Sequence, residues 1–120
     1  MSTLSTHVLD TSLGKPAAGI PVVLERVRDP NPGPAGHREL MIGFGTTDKD
    51  GRLKDFVAGG APLGEGTYRL RFDVSEYFAR TKREAFFPEV VVVFRIGTSD
   101  KHYHVPLLLS PFGYSTYRGS

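Results

Sequence analysis

Residues 102–120 read HYHVPLLLSPFGYSTYRGS, and how this stretch folds decides how the rest of the chain is arranged. From His102 to Leu109 the residues sort by a period of two: His102, His104, Pro106 and Leu108 on one side, Tyr103, Val105, Leu107 and Leu109 on the other. The second set is uniformly apolar and marks a strand with its core face there. Pro111, Phe112 and Gly113 then break the strand, and Tyr114 to Tyr117 reads as a short returning strand. Chain ends are usually polar and loosely held, because terminal residues have few neighbours to offset the entropy of ordering them. An aromatic-rich strand running into Arg118, Gly119 and Ser120 is expected instead to be held in place.

The remaining sequence follows the same grammar. Short segments rich in Val, Phe, Tyr, Leu and Thr lie between frequent Gly and Pro, which predicts strands at Ser5–Asp10, Ile20–Arg28, Glu39–Thr47, Arg52–Phe56, Gly66–Asp73 and Glu89–Ile96. One helix is predicted at Val74–Arg83, with Ser75 as its N-cap and Glu76 in the first turn. About eight short strands with one short helix specify an all-β, antiparallel β-sandwich. Asp48-Lys49-Asp50-Gly51 is a tight-turn signal, while Asp29 to Gly36 (DPNPGPAG) is a surface excursion. The run Val90 to Phe94 is apolar on both faces of its strand. A two-layer sandwich covers only one, so a homo-oligomer is expected to cover the other.

A chain of 120 residues with 14 Gly and 9 Pro fits one domain over residues 1–120. Its charge of +2, from 15 basic and 13 acidic residues, is scattered, and the small cluster Arg80, Lys82, Arg83 reads as a solvated face. Nucleic acid is therefore not an expected partner. No cysteine is present, which removes disulfides, thiolate metal sites and thiol nucleophiles. The N-terminus lacks the pattern of a signal peptide and no stretch is apolar enough to span a membrane, so the expected location is the cytoplasm, without membrane association.

Chemistry rests on the histidines. His102 and His104 project from the outer face of their strand, His7 lies in a strand at the other end of the chain, and His37 sits in the Pro/Gly-rich loop. Two chemistries suit such a set. An H-x-H pair with a third histidine, here His7, matches an open zinc site. Without metal, two imidazoles near neutral pKa serve as general base and acid for attack by water, with an arginine offsetting oxyanion charge. A serine nucleophile is set aside: no G-x-S-x-G occurs, and Ser110 precedes a proline that has no amide N–H. The Gly59-Gly60 pair lacks the residues of a phosphate-binding loop and reads as a turn.

The segments STHVLDTSLGKPAAGIPVVLE, TTDKDGR, FFPEVVVVF and HYHVPLLLSPFGYSTYRGS resemble the transthyretin-related proteins, and specifically their enzyme branch, the 5-hydroxyisourate hydrolases. The similarity covers nearly the whole chain, and the closing YRGS is its most specific mark. The resemblance implies a transthyretin-like sandwich assembled as a homotetramer, a dimer of dimers, with active sites between dimers. It implies hydrolysis of the ring amide of the small-molecule substrate 5-hydroxyisourate to 2-oxo-4-hydroxy-4-carboxy-5-ureidoimidazoline in urate catabolism, with neither metal nor cofactor. Matched motif by motif, it makes His7, Arg52, His104 and Ser120 catalytic and has Tyr117, Arg118 and Gly119 bind substrate. The other reading on the same scaffold is a non-enzymatic carrier of a small aromatic ligand. One departure stands out: the Pro/Gly-rich segment at Asn31–Gly36, beside His37, is longer than the family pattern.

Overall fold

Period-two alternation resolves into two stacked sheets. The computed structural model describes residues 2–27, 39–54, 56, 63–98 and 101–119, and of residues 39 and 40 the backbone only. Among these, β1 (Thr3–Asp10), β2 (Lys15–Pro16), β3 (Pro21–Val27), β4 (Glu39–Thr46), β5 (Arg52–Lys54) and β6 (Gly66–Asp73) precede the helix α1 (Ser75–Arg80). Then come β7 (Glu89–Ile96), β8 (His102–Ser110) and β9 (Gly113–Thr116). One sheet has the order β2-β1-β8-β9, with β5 also paired to β1; the other is β4-β3-β6-β7. The predicted strands are recovered, and the added β2 is a two-residue pairing too short to leave a periodic signal. The excursion at Asp29–Gly36, His37 and the Gly59-Gly60 pair lie outside the described residues.

The sandwich differs from the antiparallel expectation in one ladder. β1 and β8 run parallel along their length, from Thr3 opposite His102 to Asp10 opposite Leu109. Among the described residues every other strand pair is antiparallel. A parallel pair needs a long crossover instead of a hairpin, and here the chain from β2 to β7 supplies it.

Alternation determines what each face meets. On β8, Tyr103, Val105, Leu107 and Leu109 are buried with Val8 of β1 against Leu24, Leu70, Phe72 and Val90 of the opposite sheet. Each such side chain contributes roughly 1.5–3 kcal/mol by leaving water. The two-faced run on β7 divides as its pattern requires: Val90 and Val92 turn inward, while Val91 and Val93 remain 38% and 60% exposed on an edge strand.

The helix is shorter than expected, and its cap is shifted. Lys82 takes a left-handed conformation at φ 59°, and the Thr81 hydroxyl donates to the carbonyls of Tyr77 and Phe78, which ends α1 at Arg80. Val74, not Ser75, occupies the N-cap position. The Asp73 carboxylate does the capping work, accepting from the Ser75 amide at 3.3 Å and its hydroxyl at 2.9 Å. Six residues do not make a stable helix alone. Burial of Tyr77 and Phe78 holds this one to the sheets.

The cluster Arg80, Lys82, Arg83 is not uniformly solvated. Arg83 lies over the rings of Tyr77 and Phe78 and donates to the buried Asp10 at 2.6 Å. Arg80 donates to the carbonyl of Ala18 at 3.0 Å. Asp10, at the end of β1, also accepts from the Tyr77 hydroxyl at 2.6 Å, the Leu13 amide and the Ser12 hydroxyl. Burial alone would raise its carboxyl, but these donors, Arg83 foremost, hold it well below the usual carboxylate range. Burial and the Asp10 charge push Tyr77 up to about 12. Because Asp10 titrates lower folded than unfolded, its stabilisation is present above the ordinary aspartate pKa of about 3.9 and declines as pH falls below it. Asp10→Asn leaves Arg83 without its charge partner. It is expected to lower unfolding free energy by about 3–5 kcal/mol in urea titration and to flatten the acid loss of stability; an unchanged midpoint would contradict the clamp.

Candidate active site

The outer face of the β1–β8 sheet collects the chemistry. Parallel register sets Thr3 beside His102, Ser5 beside His104 and His7 beside Pro106. On the other edge of β1, β5 sets Lys54 opposite Ser5 and Arg52 opposite His7. Residues directly paired share a face. His7 and Arg52 are thus neighbours, and His104 stands one row away.

Arg52 is positioned by the turn before it. The Asp48 carboxylate accepts from the amides of Asp50 at 2.8 Å and Arg52 at 3.0 Å, closing the loop from inside. Gly51 sits at φ 73°, and a Cβ there would lie 2.4 Å from the Val8 carbonyl, so only glycine permits so tight a turn against β1. His7 reaches this turn through Nε2, which donates to the Asp50 carbonyl at 2.8 Å. With that nitrogen protonated, Nδ1 of neutral His7 carries the lone pair. The same amides, with Arg52 and His7 close by, hold Asp48 below its ordinary range, so it stays a carboxylate beside the two bases.

His104 is half-buried. Its Nδ1 is 2.8 Å from the Ser5 hydroxyl, and the Gly119 amide donates to its carbonyl at 2.8 Å. Burial, then the charges of Arg52, His7 and His102, lower its pKa, so the ring is neutral at physiological pH. His102 is exposed, with Nδ1 2.6 Å from the Thr3 hydroxyl and Nε2 2.8 Å from Ser5. This geometry does not favour the three-histidine zinc arrangement: both His102 nitrogens are used by hydroxyls, and among the described residues no group of three potential ligands is placed to hold an ion.

The tail divides in two. Its pairing with β8 runs from Ser110 opposite Gly113 to Leu107 opposite Thr116, lapses at Pro106, which has no N–H, and resumes in the same register between His104 and Gly119. The Thr116 hydroxyl takes the Pro106 carbonyl at 2.7 Å. Gly119 therefore lies against the histidine, where a Cβ would come within 2.7 Å of His104 Cδ2. Tyr117 and Arg118 are elsewhere. They line a cavity of about 300 Å³ with Val92 to Arg95 of β7, and the Arg118 guanidinium lies 4.9 Å over the Tyr103 ring. Tyr114 is not in the outer face either: it pairs with the inward-facing Leu109, and its ring stands edge-on to Phe87 at 5.4 Å. Pairing within β9 therefore turns Tyr114 away from the histidine face. Ser120 lies outside the described residues.

Of the expected site residues, the structure brings together His7, Arg52, His104 and Gly119, and sets Tyr117 and Arg118 at the adjoining edge. Sequence reasoning missed Ser5 and Asp48. Ser5 shares the His7 face by alternation, but only the parallel register reveals that it meets both histidines of β8.

The HIUase/Transthyretin family model matches residues 4–119. A 5-hydroxyisourate hydrolase of Salmonella dublin is 48% identical over 117 residues, which cover 98% of this chain and 80% of the relative. The structure of Klebsiella pneumoniae 5-hydroxyisourate hydrolase matches with a TM-score of 0.81 at 42% identity, covering 100% of each chain. Sea bream transthyretin in complex with thyroxine matches with a TM-score of 0.82 at 27% identity, over 98% of this chain and 94% of that one.

The contact between Gly119 and His104 is open to test. Gly119→Ala is expected to displace the imidazole from Ser5, seen as a changed His104 ring resonance by NMR, while thermal stability moves by less than about 1 kcal/mol, as for other changes outside the core. An unmoved ring would show that the tail does not position it.

Proposed function

The chain belongs to the HIUase/transthyretin family, and from that premise, joined to the geometry of the outer sheet face, we infer that it is a hydrolase of 5-hydroxyisourate acting in urate degradation. The observation that carries this reading is the convergence of His7, Arg52 and His104 from three strands, with Gly119 of the tail closing on His104. The carrier reading, which the transthyretin likeness would suggest, gives these residues no task.

The reaction needs a proton acceptor, a proton donor and charge stabilisation. Water oxygen bonds to the ring carbonyl carbon, the adjacent C–N bond breaks, the nitrogen leaves with a proton, and the carbonyl carbon becomes a carboxylate. One imidazole takes the proton from attacking water and the other protonates the leaving nitrogen or orients water. His104 is held neutral by its surroundings, and His7 is oriented by its hydrogen bond to the Asp50 carbonyl. Arg52, beside His7, binds substrate oxygen and offsets the negative charge of the tetrahedral intermediate. Ser120, following Gly119, acts with this group. Gly119, reaching the histidine, binds substrate at this face, and Tyr117 and Arg118, at the adjoining edge beside the β7 cavity, extend the substrate-binding wall.

A site on an open sheet face is wet, and these contacts strengthen when water is excluded. Assembly as a homotetramer, a dimer of dimers, supplies that exclusion; the edge strand β7 of the other sheet, with Val91 and Val93 exposed, gives a further apolar surface for contact between copies. We place the single domain in the cytoplasm.

His7→Asn and His104→Asn are each expected to lower turnover of 5-hydroxyisourate by roughly 10² to 10⁴, the contribution of general acid–base catalysis, without changing the oligomer mass by light scattering. Near-normal turnover in either variant would remove that histidine from the mechanism, and a monomeric wild type would remove the tetramer.

A further inference from the structure

We propose that Ser5 and His102 are positioning residues for His104: one hydroxyl, shared by two imidazoles, sets which nitrogen of His104 carries its proton and leaves Nε2 as the basic atom. This inference rests on the hydrolase reading for its catalytic consequence, but its structural content stands apart from the identity of the substrate.

The side chains form an unbranched chain of hydrogen bonds. Thr3 Oγ1 is 2.6 Å from His102 Nδ1, His102 Nε2 is 2.8 Å from Ser5 Oγ, and Ser5 Oγ is 2.8 Å from His104 Nδ1. Among the described residues, His104 Nε2 ends the chain with no hydrogen bond of its own. Ser5 has a single proton, so it donates to one imidazole and must accept from the other. The choice propagates. If Ser5 donates to His102 Nε2, then His102 carries its proton on Nδ1 and gives it to Thr3. His104 must in turn donate from Nδ1 to Ser5, and its Nε2 holds a lone pair. The opposite polarity protonates Nε2 instead.

Two features favour the first polarity. Thr3 is exposed, so its hydroxyl can accept from His102 and pass its own proton to solvent. The charges around His104 are cationic or titratable: Arg52 and Lys54 on β5, His7 on β1 and His102 on β8. The positive field of Arg52 is better met by a lone pair on the open nitrogen than by an N–H. When Nε2 takes a proton from water, the Nδ1–H bond to Ser5 is already in place and nothing must rotate. That is preorganisation of a base by a second layer of groups, an effect worth about 10- to 100-fold where such partners orient histidines at metal sites. The β1–β8 ladder enforces it, because Ser5 is paired with His104 and Thr3 with His102.

Long-range proton–nitrogen NMR of the imidazoles in the resting protein reads the tautomers directly. The expected result is His104 protonated on Nδ1, and a shift towards Nε2 protonation in Ser5→Ala. In parallel, Ser5→Ala is expected to lower kcat about 10- to 100-fold with KM changed less than about threefold, and to move the acid limb of kcat/KM to lower pH, because the imidazolium loses its acceptor. His102→Phe should show the same signs, and His102→Gln, which retains an acceptor for Ser5, should recover most of the lost rate. Finding His104 protonated on Nε2 in the wild type, or unaltered kinetics in both Ser5→Ala and His102→Phe, would overturn the proposal. Absence of hydrolysis by the wild type would instead refute the substrate assignment and leave the tautomer measurement as the judge of the relay.

Discussion

The parallel ladder between β1 and β8 is the constraint on which the rest depends. It joins the first strand of the chain to the strand before the tail, and its register decides every neighbour on the outer face: Thr3 with His102, Ser5 with His104, His7 with Pro106. A slip of one residue would turn the histidines of β8 into the core and expose Tyr103, Val105, Leu107 and Leu109, a loss of several kcal/mol per pair of residues exchanged. The packing of an ordinary sandwich core therefore also sets the geometry of the site. Chemistry is built from the residues that the core rejects.

Around this ladder the other elements act as supports. The Asp48 turn brings Arg52 up to His7 on one side, and Pro106 interrupts β9 so that the tail skips two residues and returns at His104 on the other. The two residues released by the interruption, Tyr117 and Arg118, line the cavity towards β7, and Arg118 pins the tail on Tyr103. At the far end of β1, Asp10 ties the strand to α1 through Arg83 and Tyr77. Rigid scaffolding at both ends of β1 is what a site composed of small adjustments between imidazoles and hydroxyls requires.

Much of this was legible from residue order, and the failures have physical causes. Alternation in HYHVPLLL separated histidines from core correctly, because one face of a strand must be apolar whatever it pairs with. The turn at Asp48 to Gly51 was equally plain, since few sequences tolerate positive φ there. What alternation does not encode is the partner. The parallel direction of β8 against β1, the role of Ser5, and the turning of Tyr114 towards Phe87 all depend on long-range register. Arg83 misled for a related reason: its charge looked solvated until the fold brought Asp10 beneath it. The motif resemblance supplied the pairing of His7 with His104 that spacing alone left open.

The most direct test of imidazole-driven hydrolysis on this face is the decay of ultraviolet absorbance of freshly generated 5-hydroxyisourate, with wild-type protein treated beforehand with a metal chelator. Decay far faster than the spontaneous reaction, and equal with and without chelator, is the predicted result. Decay at the spontaneous rate, or activity lost to the chelator and restored by zinc, would contradict it.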